Sequence, residues 1–156
     1  MVLASIVFLL PGCSEKPPGF YDHAHTWDLS RLPLIAPYQL TSADKGNTWT
    51  LEFRGTPPLS TLGSGAIDSL AVIDSIIVLY NPSYSHVHEG QGKAWFIIDS
   101  RTKHERIVAD RRLLVRILDS MSIRLDSLYP IRPIFDRFES EGVLPWRETR
   151  SMWNRG

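Results

Sequence analysis

The sequence predicts an α+β domain built as a small antiparallel sheet with one face covered by a C-terminal helix. Two observations carry that prediction. Every strand-like stretch, whether alternating or continuously apolar and β-branched, lies before residue 109, and no helical pattern separates one from the next. The two stretches whose apolar residues recur at helical spacing come after it. Parallel strands need a crossover of a dozen or more residues between them, usually a helix, so strands first and helices last argue for hairpins.

Taken in order, Phe20 to Arg31 mixes aromatics, His and Asp without a period and reads as an irregular segment packed on the domain edge. Leu32 to Thr41 is apolar but holds Pro33 and Pro37. Proline cannot donate to a ladder, so this reads as an edge strand at best. Ala43-Asp44-Lys45-Gly46-Asn47 is a turn cluster, and the alternation of Thr48 to Phe53 puts Trp49, Leu51 and Phe53 on one side of a half-buried hairpin strand. Gly55 to Gly65 is a loop by composition, without the length or the Lys of a phosphate-binding loop.

Ile67 to Tyr80 ends in the unbroken run Ile76-Ile77-Val78-Leu79-Tyr80, which predicts a central strand covered on both faces, terminated by Asn81-Pro82. Ala94 to Ile98 predicts a second buried strand, Asp99 to Lys103 a turn, and His104 to Val108 a short returning strand. Asp110 suits the N-cap of the best helix, with Leu113, Leu114, Ile117, Leu118 and Met121 on its apolar face and Arg111, Arg112, Arg116 and Asp119 mostly opposite. Leu125 and Leu128 extend the apolar content before Pro130 and Pro133 break it. Pro133 fits the first turn of a second short helix with Ile134, Phe135 and Phe138 inward and Gly142 as its stop; Trp146 and Trp153 lie in the tail beyond.

Composition is that of one globular domain: 156 residues, 43% hydrophobic and 22% charged. The formal net charge is zero, so bulk electrostatics favour neither nucleic acid nor an acidic lipid surface. The charge is unevenly placed, with 12 of the 17 Lys and Arg against 8 of the 17 Asp and Glu in residues 101–156, nearly all the cations being Arg. Such a surplus is either a solvated helix face or an Arg-rich contact surface.

The candidate metal ligands are two His-x-His pairs, His23/His25 and His86/His88, the second with Glu89 beside it. Residues two apart on an extended chain point the same way, and zinc needs three or four such ligands, so both pairs would have to converge. No other cofactor is implied. The stretch 81–92 is longer than a tight hairpin requires and carries Tyr84, His86, His88 and Glu89, which makes it a candidate loop for a ligand or partner. No Gly-x-Ser-x-Gly elbow is present, and Asp68, Asp74 and Asp99 border strands without any spacing that pairs them. The expectation is therefore a protein that is not an enzyme, a hydrolase being the reading that would need an unseen cleft.

The chain opens on an apolar run from Val2 to Leu10 that closes on Leu10-Pro11-Gly12-Cys13, and Cys13 is the single cysteine. The run is too short to span a bilayer, which takes about 20 residues. The four residues resemble the lipobox of bacterial lipoproteins, with Leu at the third position before Cys and Gly directly before it; Pro11 stands where a small residue is usual. The resemblance implies a signal peptide over 1–12, cleavage before Cys13, acyl chains (palmitate among them) on that residue, a tether over 13–19 and a single domain over 20–156. Ser14 after the lipidated Cys implies sorting to the cell outer membrane, facing the periplasm. The polar, Pro- and Gly-rich Ser14 to Gly19 has the composition of a solvated linker. The leading expectation is thus a lipid-anchored lipoprotein of the cell envelope, held to the membrane through Cys13 and acting on a protein partner, not on nucleic acid. The alternatives are an envelope domain that binds a metal or small ligand through the 81–92 loop, or an immunity-type protein against an incoming toxin.

Overall fold

The computed structural model describes residues 19–26, 28–53, 66–86 and 90–147. Its strands form two antiparallel sheets, and its helices lie in the C-terminal third, so the chain is an α+β domain. The first sheet joins β1 (His25–Thr26), β2 (Leu29–Pro33), β3 (Tyr38–Ser42) and β4 (Thr50–Phe53) in that order. The second has the order β8 (His104–Val108), β7 (Gly90–Asp99), β6 (Ile76–His86), β5 (Ser69–Ile73), β9 (Tyr129–Pro130).

The apolar Leu32 to Thr41 stretch is not one edge strand. It belongs to a hairpin in which β2 and β3 pair Leu32 with Leu40 and Pro33 with Gln39, the chain reversing through a cis Ala36–Pro37 bond. Pro33 fits because of what flanks it. The Arg31 N–H points toward β1 and donates to the Ala24 carbonyl (2.6 Å), and two residues on, where β1 no longer runs, no ladder needs the missing donor.

The Ile67 to Tyr80 run is likewise split. Asp74, at φ 52°, and Ser75 turn the chain so that Ile73 pairs with Ile76; Asp tolerates the left-handed region that such two-residue turns require. The unbroken Ile76 to Leu79 run does form a central strand buried on both faces, each residue 3% exposed or less. Asn81-Pro82 does not end it. The ladder shifts register between Asn81 and Tyr84 and then resumes through Tyr84–Gly92, Ser85–Gln91 and His86–Gly90. The irregularity accommodates Pro82, which could not donate within a regular ladder.

Two cores follow from strand alternation. Leu32, Leu40, Trp49 and Leu51 of the first sheet face Leu70, Ile77, Leu79, Phe96 and Ile98 of the second. The opposite face of the second sheet carries Ile76, Val78, Trp95, Ile97 and Val108, packed against Leu114 and Leu118 of α1 (Arg111–Ser120). The other helix, α2 (Ile131–Glu141), seals the inter-sheet core with Ile131, Ile134, Phe135 and Phe138, and Gly142 ends it at φ 70°. The β3–β4 turn is clamped to α2: Arg132 donates to the Lys45 carbonyl (3.1 Å), and the Trp49 ring packs 4.9 Å from Phe135. Among the described residues no helix is long and apolar enough to cross a membrane.

Candidate functional site

The residues singled out as metal or ligand groups have separate fates. His25 Nε2 lies 2.6 Å from Glu139 Oε1 of α2, and its ring stands edge-on to Phe135 at 5.7 Å. His23 is exposed, and its backbone carbonyl accepts a bond from Arg31 (3.4 Å). Tyr84 is half-buried with its ring T-shaped against Phe96 at 5.2 Å, so it packs on the inter-sheet core. Most of the 81–92 stretch is paired strand and not an open loop. Cys13, His88, Glu89 and the His86 side chain lie outside the described residues. Among the described residues, no three His, Cys, Asp or Glu side chains come together as a metal site would need.

The three strand-bordering aspartates are not brought together as an acid pair. Asp99 accepts from the Thr102 hydroxyl (2.8 Å) and the Arg101 N–H (3.0 Å), bonds that hold its carboxyl below the usual range. Asp74 sits in the β5–β6 turn, and the Asp68 carbonyl takes the N–H of Ile131. Trp49 and Trp95 are buried in the two cores.

Two surfaces have a functional character instead. The first receives the chain as it enters the domain. Arg31 is 5% exposed on the face of the first sheet opposite Leu32. Its guanidinium donates to the Phe20 carbonyl, to the His23 carbonyl and to Gln39 Oε1, and it lies 4.8 Å from the centre of the Phe20 ring. Tyr21 is held as well: its hydroxyl accepts from the Ala36 N–H (3.1 Å), and Arg147 covers its ring at 4.3 Å. The segment leading in from the N-terminus is thus fastened at Phe20 to the outside of the first sheet, while Tyr21 and Ala24 pack against the inter-sheet core.

The second surface is the outward face of α1. Asp110 caps the helix by accepting from the Arg112 N–H (2.7 Å), as the sequence predicts. Leu114 and Leu118 are buried, and at 100° per residue Arg112, Arg116 and Asp119 then point to solvent, with Arg111 and Val115 on one flank and Leu113 on the other. Leu113 and Met121 were expected on the buried face, yet they are 40% and 39% exposed, and Val115 is 43% exposed. The apolar arc centres on Leu114 and Leu118, and Leu113 lies a full 100° away from Leu114. Next to the helix start, Lys93, Ala109, Asp110, Arg111, Arg112 and Val115 line a recess of about 840 Å³. Arg106 of β8 lies on the same side of the second sheet, because it pairs with Ile97, which faces α1.

The Arg surplus of the C-terminal region was visible in the sequence, and the structure places part of it on α1. Arg31 was missed; the available signal was a cation two residues before Pro33, directly before the apolar Leu32. The chain matches no protein-family model, no curated protein and no solved structure.

Proposed function

We propose that this chain is a lipid-anchored lipoprotein of the bacterial cell envelope, held at the outer membrane through acyl chains on Cys13 and acting by contact with another protein instead of by catalysis. The observation that carries the reading is Leu10-Pro11-Gly12-Cys13 at the end of an apolar run and directly before a polar Pro- and Gly-rich link. Two acyl chains anchor a protein stably where one is marginal. The Arg31 contacts to Phe20 and His23 support the same reading, since a domain suspended from its N-terminus needs that segment fixed to the fold. The link from Cys13 to Gly19 reaches at most about 20 Å when extended, which keeps the domain close to the bilayer surface. The test is Cys13→Ala in cells fed a labelled fatty acid. Wild type takes up label and fractionates with membranes; the variant loses the label and stays uncleaved. A variant that still matures and still sediments with membranes refutes the proposal.

A further inference from the structure

The two helices treat their charges in opposite ways. On α2 the exposed cations are neutralised one turn apart, Arg132 by Asp136 (2.8 Å) and Arg137 by Glu141 (3.0 Å), and Glu139 is paired with His25. On α1, Arg111, Arg112 and Arg116 have no ion-pair or hydrogen-bond partner for their side chains among the described residues, nor has Arg106 beside them. Arg112 and Arg116 are one turn apart, where like charges repel. The helix is also charged against its own dipole. Arg111 and Arg112 stand at its positive end and Asp119 near its negative end, with no acid in the first turn and no base in the last. A purely solvated face gains nothing from that arrangement, and locally unfavourable choices of this kind concentrate at functional surfaces.

The composition around these cations is that of a contact surface. Leu113 and Val115 are two of the large apolar side chains that the domain leaves exposed, and they flank Arg112 and Arg116. Arg is enriched at protein interfaces, and the buried centre of an interface is more apolar than the rest of the surface. The helix N-terminus is not itself the attraction, because the Asp110 carboxylate already caps it.

We propose that the outward face of α1, with Lys93 and Arg106 beside it, docks an acidic partner protein. Asp119 on the same face and Asp110 in the recess beside it favour a protein of mixed chemistry over an anionic lipid surface, which would repel both carboxylates. Of the incoming segment, Phe20 meets Arg31 on the outer face of the first sheet while Tyr21 and Ala24 pack against the inter-sheet core, and α1 covers the far side of the second sheet. The partner needs carboxylates to meet Arg112 and Arg116 and apolar side chains to meet Leu113 and Val115. The inference stands apart from the tethered reading.

The test measures binding of a labelled, acidic, amphipathic 20-residue peptide of Glu, Leu and Ala to the full chain in neutral detergent. Wild type binds, and added salt weakens the binding. The Arg112→Glu/Arg116→Glu pair loses at least about tenfold in affinity, and Val115→Ser loses affinity while its charge is unchanged. Melting temperatures taken alongside show that both variants remain folded. Peptide affinity that survives the charge reversal overturns the proposal. So does tighter, Arg112-dependent binding of the unacylated Cys13→Ala chain to phosphatidylglycerol vesicles, which would assign the face to a lipid surface. Absence of acyl groups on Cys13 would sink the tethered reading alone and leave the peptide result standing.

Discussion

Reversing one charge on α1 should stabilise the domain, which is the reverse of what most substitutions do. Arg112 occupies the second position of the helix and Arg116 the place one turn on, both exposed. A charge of favourable sign at a helix end is worth about 0.3–1 kcal/mol, and one of unfavourable sign costs a similar amount. Arg112→Glu removes that cost and adds the gain. It also turns the Arg112–Arg116 repulsion into a Glu–Arg pair in the favoured order, worth about 0.2–0.5 kcal/mol. The Asp110 carboxylate in the same turn takes part of this back. The net is about 1 kcal/mol of added stability, which for a domain of this size raises Tm by about 3–5 °C. Thermal unfolding followed by circular dichroism at low salt measures it. The gain should shrink in 1 M NaCl, where the screening length falls to about 3 Å. Surfaces kept for binding commonly give up stability in this way. A Tm that is unchanged or lower at low salt would show that α1 carries no such electrostatic cost, and the argument that its charges serve a partner would lose its main support.

Three further outcomes follow from the structure. Arg31→Met should cost about 2–3 kcal/mol, because it removes charged hydrogen bonds from a buried site, and it should expose residues 19–24 to protease; a variant as stable and as resistant as wild type contradicts the clamp. The Asp44 carboxylate accepts first from the Ser42 hydroxyl and then from Thr48 and the Asn47 N–H, which hold it well below the usual carboxylate range. Its pKa is lower folded than unfolded, so its charge stabilises the fold fully above about pH 4 and less as the pH falls below that. The stability difference between wild type and Asp44→Asn should narrow on acidification, and a constant difference from pH 7 to pH 3 would contradict the assignment. Gly46→Ala should destabilise by about 1–2 kcal/mol, since Gly46 has φ 85° and an added Cβ would meet the Trp49 ring at 3.3 Å; an unchanged Tm would refute that.

Legibility in the sequence tracked how local the causes were. The alternation of Thr48 to Phe53 and the doubly buried Ile76 to Leu79 run state their burial locally; the second is strand throughout, and the first is strand from Thr50, with Trp49 buried just before it. Asp110 and Gly142 cap their helices as their chemistry requires. The division into two sheets was harder to see, because hairpins β2–β3 and β5–β6 each lie within one apolar stretch whose turn is marked by Pro37 or by Asp74 alone. Pro82 read as a terminator because the register shift that tolerates it depends on the pairing with β7. Arg31 was invisible as a clamp, since its partners Phe20, His23 and Gln39 are brought to it only by the fold. The outward face of α1 was half legible: the Arg surplus could be counted, whereas their unpaired state and the exposure of Leu113 and Val115 emerge from packing.

The measurement that bears most directly on the account is the intact mass of the protein extracted from the membrane fraction of cells that express it, with fragmentation of its N-terminus. The account predicts a chain beginning at Cys13, heavier than residues 13–156 by the mass of the attached acyl groups, with every added mass on that residue. A chain that retains Val2 to Gly12, or one whose Cys13 carries no lipid, would contradict it.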